Sequence, residues 1–111
     1  MIDISNITVE DFLIIVVEGE VDASSSIYLD NAISDAIEKE YKKILVDCTK
    51  LSYISSAGLG VFMSYIQDFQ SHNINLVLFG LSEKVRNVFE ILGLDQLLQI
   101  TGSLEEAKSL C

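Results

Sequence analysis

Apolar and polar residues alternate along this chain with two different periodicities. Residues 2–9 and 12–18 are rich in β-branched side chains and flank the acidic pair Glu10–Asp11, which predicts two strands of an antiparallel hairpin. Further along, apolar residues recur three and four positions apart, as on the buried face of a helix. The residues in these helical stripes are Leu29, Ala32, Ile33, Ala36 and Ile37, then Leu59, Phe62, Met63, Ile66 and Phe69, then Val85, Val88, Phe89 and Leu92.

Short apolar segments alternate with these stripes and predict further strands. The expected strands are residues 44–48, 74–80 and 97–101, and the three helices are expected to end near Tyr41, near Gln70 and at Gly93. A last helix is expected over 103–110. A hairpin followed by alternating helix and strand predicts an α/β domain with a mixed sheet of about five strands and about four helices. With 111 residues and no linker, we expect a single domain over residues 1–111.

The segment SYISSAGLG, residues 52–60, departs from these patterns because two serines and two glycines stand at the start of the second helix. A structural interpretation makes Ser55 or Ser56 the N-cap, which contributes ~1 kcal/mol, and lets Gly58 and Gly60 pack closely against the sheet. Two helical glycines nevertheless cost about 1 kcal/mol each relative to alanine. A functional interpretation is that they clear space around a serine for a partner protein.

The position of this segment favours the functional interpretation. It is expected to be a loop after the strand ending at Cys48, and loops at the carboxyl ends of strands often contact ligands or partners. The N-terminus of the following helix carries about half a positive charge. A phosphoryl group on Ser56 would therefore be accepted there without harm to the fold. The earlier loop GEVDASSS, residues 19–26, holds Asp22 and serines suited to helix capping.

Composition narrows the classes of partner. The net charge of −10 would repel a phosphate backbone, so nucleic-acid binding is not expected, and a basic protein partner suits the charge better.

The longest apolar run, residues 12–17, is too short to span a bilayer, and no signal peptide is visible, so we expect a cytoplasmic protein without direct membrane insertion. Neither cysteine has the spacing of a metal site, and Cys48 is expected to be a small buried hydrophobe.

Three quoted segments resemble one known family. LSYISSAGLGVF, residues 51–62, resembles the signature loop of bacterial STAS domains, and specifically of the stand-alone anti-sigma factor antagonists, where aspartate, serine and a small residue precede Gly-Leu-Gly. VEGEVDASSS, residues 17–26, resembles the family's segment before the first helix. LSEKVRNVFEILGLDQLLQI, residues 81–100, resembles its third helix and final strand. The resemblance covers nearly the whole chain.

The resemblance implies roles for individual residues. Ser56 matches the serine that is phosphorylated in the family, and Asp22 matches an acidic residue beside the phosphorylation loop. Ser55 stands where the family usually has aspartate, which removes a carboxylate next to the acceptor and makes Ser55 a second candidate acceptor. The implied partner-binding residues are Asp22, Ser55, Ser56, Ala57, Gly58 and Gly60.

The resemblance also implies a mechanism of partner switching. The unphosphorylated protein would bind an anti-sigma factor that is also a serine kinase, and so release the sigma factor. Phosphorylation of Ser56 would end that binding, and a PP2C-type serine phosphatase would restore it. ATP and metal ions belong to these partners, so the chain is expected to be no enzyme and to hold no cofactor. An exposed strand edge would also allow a weak homodimer.

Three alternatives compete with this interpretation, and the residues argue against the first two. In a receiver domain Asp47 would be the phosphoacceptor, but the early strands end in Val9–Glu10 and Glu18–Gly19, with no acidic pair for Mg²⁺. A hydrolase would need His72 near Ser56, whereas a helix of ~15 residues would hold them more than ~20 Å apart. The third is a STAS domain with another client, such as a phosphoswitch outside sigma-factor control, a stress-signalling complex or a lipid-transport system.

Overall fold

The computed structural model describes residues 2–111 and has the expected order of elements. The strands are Ile2–Val9 (β1), Phe12–Val21 (β2), Lys43–Ile54 (β3), Asn75–Phe79 (β4) and Gln99–Thr101 (β5). The α-helices are Ser26–Glu38 (α1), Ser56–Ser71 (α2), Glu83–Ile91 (α3) and Leu104–Ser109 (α4). A short 3₁₀ helix, Leu94–Gln96, was not predicted. Within residues 2–111 the expected α/β class, with five strands and four α-helices, is confirmed.

The five strands form one mixed sheet in the order β1-β2-β3-β4-β5. Strands β1 and β2 pair antiparallel as the predicted hairpin, and Glu10 in its turn has a φ of 57°. The other three pairs are parallel. Strand β3 therefore lies at the centre, and the ends of β2 and β3 point to the same side of the sheet. That shared end is where the serine segment lies.

The two faces of the sheet are covered unequally. Helices α1, α2 and α3 contribute to one large core, in which Ile33, Phe62 and Phe89 are almost completely buried. On the opposite face α4 covers a smaller core through Ala107. Because the connections between parallel strands all pass over one face, that face has three helices and the other has only the C-terminal one. Among residues 2–111, no helix is both long and apolar enough to cross a membrane.

The end of β3 was predicted wrongly. Strand β3 has twelve residues and continues six positions beyond Cys48 to Ile54, so no loop separates the strand from the serine segment. The β2–β3 pairing shifts register twice, first between Val16 and Glu18 and again between Gly19 and Glu20. Each shift places an extra residue on β3 and breaks the alternation of buried and exposed side chains. The pattern of period two that identifies a strand is therefore lost after Cys48.

Several smaller boundaries differ from the prediction. Strand β2 continues through Gly19 to Val21, which were expected to lie in a loop. Helix α1 ends at Glu38 rather than near Tyr41, and Glu40 just beyond it has a left-handed φ of 64°. The predicted start of α3 is confirmed, since the Ser82 hydroxyl accepts a hydrogen bond from the Val85 N–H. Gly93 is confirmed as its stop, with a φ of 73°.

Candidate functional site

The two serines between β3 and α2 have different roles. Ser55 is the N-cap of α2, with an extended backbone, and its hydroxyl oxygen accepts a hydrogen bond of 3.3 Å from the N–H of Gly58. Ser56 is the first helical residue and is exposed. Its hydroxyl makes no hydrogen bond to any residue in the described range 2–111. Of the two candidate acceptors, Ser56 is thus the one with an unengaged hydroxyl.

The backbone around Ser56 suits an anion. The first N–H groups of a helix have no intrahelical partner. Here the N–H of Gly58 is taken by Ser55 and that of Leu59 donates to the Ser55 carbonyl, whereas those of Ser56 and Ala57 donate to no described residue. Two free donors and the positive end of the helix dipole therefore lie in the turn that Ser56 begins.

Asp22 lies beside this segment because the ends of β2 and β3 are joined. The N–H of Ser55 donates to the carbonyl of Val21 over 2.8 Å, and Val21 is also the register partner of Ile54. Asp22 directly follows Val21. The parallel pairing of two strands thus brings together residues that are more than thirty positions apart in sequence.

The Asp22 carboxylate organises the loop that leads into α1. Its Oδ1 atom accepts from the N–H and hydroxyl of Ser24, at 3.0 and 2.9 Å, and from those of Ser25, both at 2.9 Å. The hydrogen bonds from the Ser25 and Ser24 hydroxyls are the main cause that lowers the Asp22 pKa to about 2. The helix N-cap itself is Ser25, which makes no capping hydrogen bond. Asp22 therefore orders the loop before the helix, and is ionised at neutral pH.

The two glycines of the signature segment differ in what surrounds them. A Cβ on Gly58, which is buried, would lie 2.7 Å from side-chain atoms of both Ile54 and Val21. A Cβ on Gly60 would have nothing within 4 Å. The idea that both glycines keep a surface clear is thus wrong for Gly58, which lets α2 approach the end of the sheet. Gly60 alone has the open surroundings that the idea requires.

Comparison with known proteins identifies the family to which this arrangement belongs. The STAS domain matches residues 3–107. The chain belongs to the STAS domain family. An anti-sigma-B factor antagonist of Listeria monocytogenes is 37% identical over 90 residues, which are 81% of this chain and 79% of that protein. This STAS domain is therefore related to the anti-sigma factor antagonists, as the signature segments indicated.

Solved structures agree with this assignment at the level of the fold. The crystal structure of an anti-sigma factor antagonist from Mycobacterium paratuberculosis has a TM-score of 0.90 at 16% identity, and the match covers 99% of this chain and 93% of that one. The Bacillus cell fate determinant SpoIIAA in its phosphorylated form has a TM-score of 0.71 at 22% identity, and the match covers 98% and 97% of the two chains. At these identities the likeness concerns the fold alone.

The rival sites proposed from sequence are not assembled in this STAS domain. His72 is the C-cap of α2, so it lies at the opposite end of the helix from Ser56, ~24 Å away at 1.5 Å per residue. Asp47 accepts from the N–H and hydroxyl of Thr49, at 3.0 and 2.8 Å. Within residues 2–111 no three His, Cys, Asp or Glu residues are clustered as metal ligands. Cys48 is buried as expected, and burial raises the pKa of its thiol.

Sequence reasoning missed the apolar residues exposed near the site. Met63 was assigned to the buried stripe of α2, but half of it is exposed, and it follows Ser56 and Gly60 at helical spacing on one surface of the helix. Tyr53 precedes the serines and is 43% exposed, and Ile27, in the first turn of α1, is 52% exposed. An apolar residue in a helical stripe gives no signal of exposure when it lies at the stripe's margin.

Proposed function

We propose that this STAS domain is an anti-sigma factor antagonist that works as a phosphorylation-controlled partner switch. In its unphosphorylated form it binds an anti-sigma factor that is also a serine kinase, and the sigma factor is released. Phosphorylation of Ser56 ends the binding. The observation that carries the proposal is the exposed Ser56 hydroxyl, which has no partner in the described chain, next to the engaged hydroxyl of Ser55. The Listeria relative is named an anti-sigma-B factor antagonist, which supports an anti-sigma factor as the binding partner.

Phosphorylation at Ser56 is compatible with the fold. A phosphoryl group adds about −1.5 to −2 charges at pH 7. At the first position of α2 that charge meets the positive end of the helix dipole and the free N–H groups of Ser56 and Ala57. The hydroxyl is not needed for the cap, because Ser55 supplies it. The modification therefore leaves the scaffold intact and changes only the surface.

That change of surface acts on binding. The exposed line of Ser56, Gly60 and Met63 offers a small hydroxyl, an open backbone and an apolar side chain. A doubly charged phosphoryl group at one end of this line adds bulk and must be desolvated when a partner docks. The Asp22 Oδ2 atom has no hydrogen-bond partner in the described chain, so it is available to a basic group of the partner. We place this switch in the cytoplasm, where ATP and sigma factors are available.

In the modification step the Ser56 Oγ attacks the γ-phosphorus of ATP held by the kinase. The bond from Oγ to phosphorus forms, the bond from that phosphorus to the β-phosphate oxygen breaks, and ADP leaves. The hydroxyl proton passes to a base of the kinase. A PP2C-type phosphatase reverses the modification when water displaces the serine oxygen and inorganic phosphate is released. Mg²⁺ and nucleotide belong to these partner enzymes, and this chain supplies the hydroxyl.

The proposal is tested with a kinase-type anti-sigma factor, ATP and Mg²⁺, and with the phosphate located by mass spectrometry. We expect one phosphate on Ser56 in the parent chain and in Ser55→Ala, and none in Ser56→Ala. Ser55→Ala is the matched control because it removes the neighbouring hydroxyl only. Ser56→Ala should still bind the kinase. Phosphate on Ser55 with none on Ser56 would reject the site, and the absence of kinase binding by the parent chain would reject the client.

A further inference from the structure

Strand β1 presents an unpaired sheet edge. It is the outermost strand of the sheet, has eight residues, and pairs with β2 without a register shift. In an antiparallel edge strand every second residue directs its N–H and C=O groups away from the sheet. No residue in the described part of the chain forms a backbone hydrogen bond to this outer edge. Strand β1 also contains no proline or lysine, which commonly protect such edges.

A groove runs along this edge. It has a volume of about 720 Å³ and lies between residues 2–6 of β1 and the outer surface of α1, where Tyr28 and Asn31 form part of the wall. Tyr28 is 58% exposed. Ile7, further along β1, is also half exposed. An extended peptide laid against β1 would therefore pair with a free strand edge and also contact side chains of a neighbouring helix.

The groove is acidic. Asp3, Asp35 and Glu38 line it, and among residues 2–111 no lysine or arginine does so. Asp35 is paired with Lys39 over 3.1 Å, but Asp3 and Glu38 make no ion pair with any residue in the described range. The whole chain has a net charge of −10. A segment with lysine or arginine side chains is the complement of this surface.

We propose that the edge of β1 and this groove bind an extended, basic segment of a partner protein, which adds to the sheet as a sixth strand. A second copy of this chain is the less suitable occupant. Pairing two β1 strands would bring together two acidic grooves and two chains of like charge. The site does not depend on Ser56, which follows β3, two strands away from β1.

The test uses a capped eight-residue peptide of alternating lysine and valine, with binding followed by amide hydrogen exchange and titration calorimetry. We expect the peptide to bind and to slow exchange within residues 2–9. A peptide with glutamate in place of lysine should bind about tenfold more weakly or not at all. A lysine–valine peptide N-methylated at every residue should lose binding, because neither of its edges then keeps the N–H groups that strand addition needs. The Ser56→Asp variant should bind the peptide as the parent chain does.

A matched pair of charge reversals locates the site. Glu38→Lys in the groove should weaken peptide binding by roughly three- to tenfold, since an attraction becomes a repulsion. Glu90→Lys, at an exposed position of α3, makes the same change in net charge and should leave binding unchanged within about twofold. Equal effects of the two reversals, unimpaired binding of the N-methylated peptide, or no binding at all would overturn the proposal. So would a concentration-dependent dimer that protects β1 without peptide.

Discussion

Ser55 and Val21 are joined by a backbone hydrogen bond of 2.8 Å, donated by the N–H of Ser55. This bond closes the parallel pairing of β2 and β3 at the point where both strands end. It fixes the serine segment beside Asp22 and sets the residue at which α2 begins. The candidate site is therefore built on the ends of two paired strands rather than on a free loop, and a phosphoryl group on Ser56 changes a surface whose backbone is already held.

The Ser55 cap should contribute to stability and not to modification. We expect Ser55→Ala to lower the free energy of unfolding by ~1 kcal/mol, because the N–H of Gly58 loses its acceptor. Urea denaturation followed by circular dichroism measures the loss. Ser82→Ala, which removes the equivalent cap of α3, should cost a similar amount away from the site. A Ser55→Ala chain as stable as the parent would show that the cap contributes little.

The two glycines should respond in opposite directions to the same substitution. Gly58→Ala should lower the free energy of unfolding by about 1–3 kcal/mol, since its Cβ would press on the buried side chains of Val21 and Ile54. Gly60→Ala should raise it by roughly 0.5–1 kcal/mol, since the site is open and alanine favours the helix. Both are measured by denaturation of the purified variants. A gain in stability for Gly58→Ala would contradict the packing role.

Gly60→Ala also tests whether Gly60 keeps the surface of α2 open for a partner protein. If Gly60 keeps the surface open for the kinase, the more stable variant should bind the kinase about tenfold more weakly, a loss of ~1.4 kcal/mol. Ser71→Ala is a matched control that should leave the affinity unchanged, because Ser71 is exposed at the opposite end of α2 from Ser56. Affinity is measured by titration calorimetry. Unchanged affinity for Gly60→Ala would leave its glycine without a functional explanation.

Asp22 predicts a dependence of stability on pH. Its pKa is lowered from 3.8 to about 2 in the folded chain, so its hydrogen bonds stabilise the fold above about pH 4. This contribution should be lost as the pH falls from about 4 to about 2 and the carboxylate takes up a proton. Asp22→Asn should flatten the curve of unfolding free energy in that window, and Ser25→Ala should flatten it in part. A curve for Asp22→Asn as steep as that of the parent would refute the assignment.

Negative charge at Ser56 should stabilise the fold while it weakens binding. We expect Ser56→Asp to raise the free energy of unfolding by about 0.3–1 kcal/mol, because the carboxylate lies at the positive end of α2. Ser71→Asp, at the other end of the same helix, should lower it by a similar amount. The difference between the two variants should shrink in high salt. If the affinity for the kinase does not fall in Ser56→Asp, negative charge at Ser56 does not control binding.

The order of elements could be predicted because the periodicity of apolar residues within each element identifies it as a helix or a strand. The hairpin of β1 and β2, the capped start of α3 at Ser82 and its stop at Gly93 are local signals, and the structure confirms them. The length of β3 could not be predicted. In its last six residues, two register shifts against β2 set which side chains are buried. Strand β2 is more than twenty residues away in sequence.

Some features of the candidate site could likewise be predicted from local sequence, whereas others depend on tertiary packing. The sequence by itself determined that a serine pair opens α2 and that Asp22 begins a capped loop, since short polar residues at helix starts are local chemistry. Only the tertiary structure decided that Ser55 is the cap, that Ser56 is free, that Gly58 packs against Val21 and Ile54, and that Met63 is exposed. These outcomes depend on contacts between strands and helices that are distant in the chain. Local periodicity specifies which element a residue belongs to, whereas packing between elements specifies what its side chain touches.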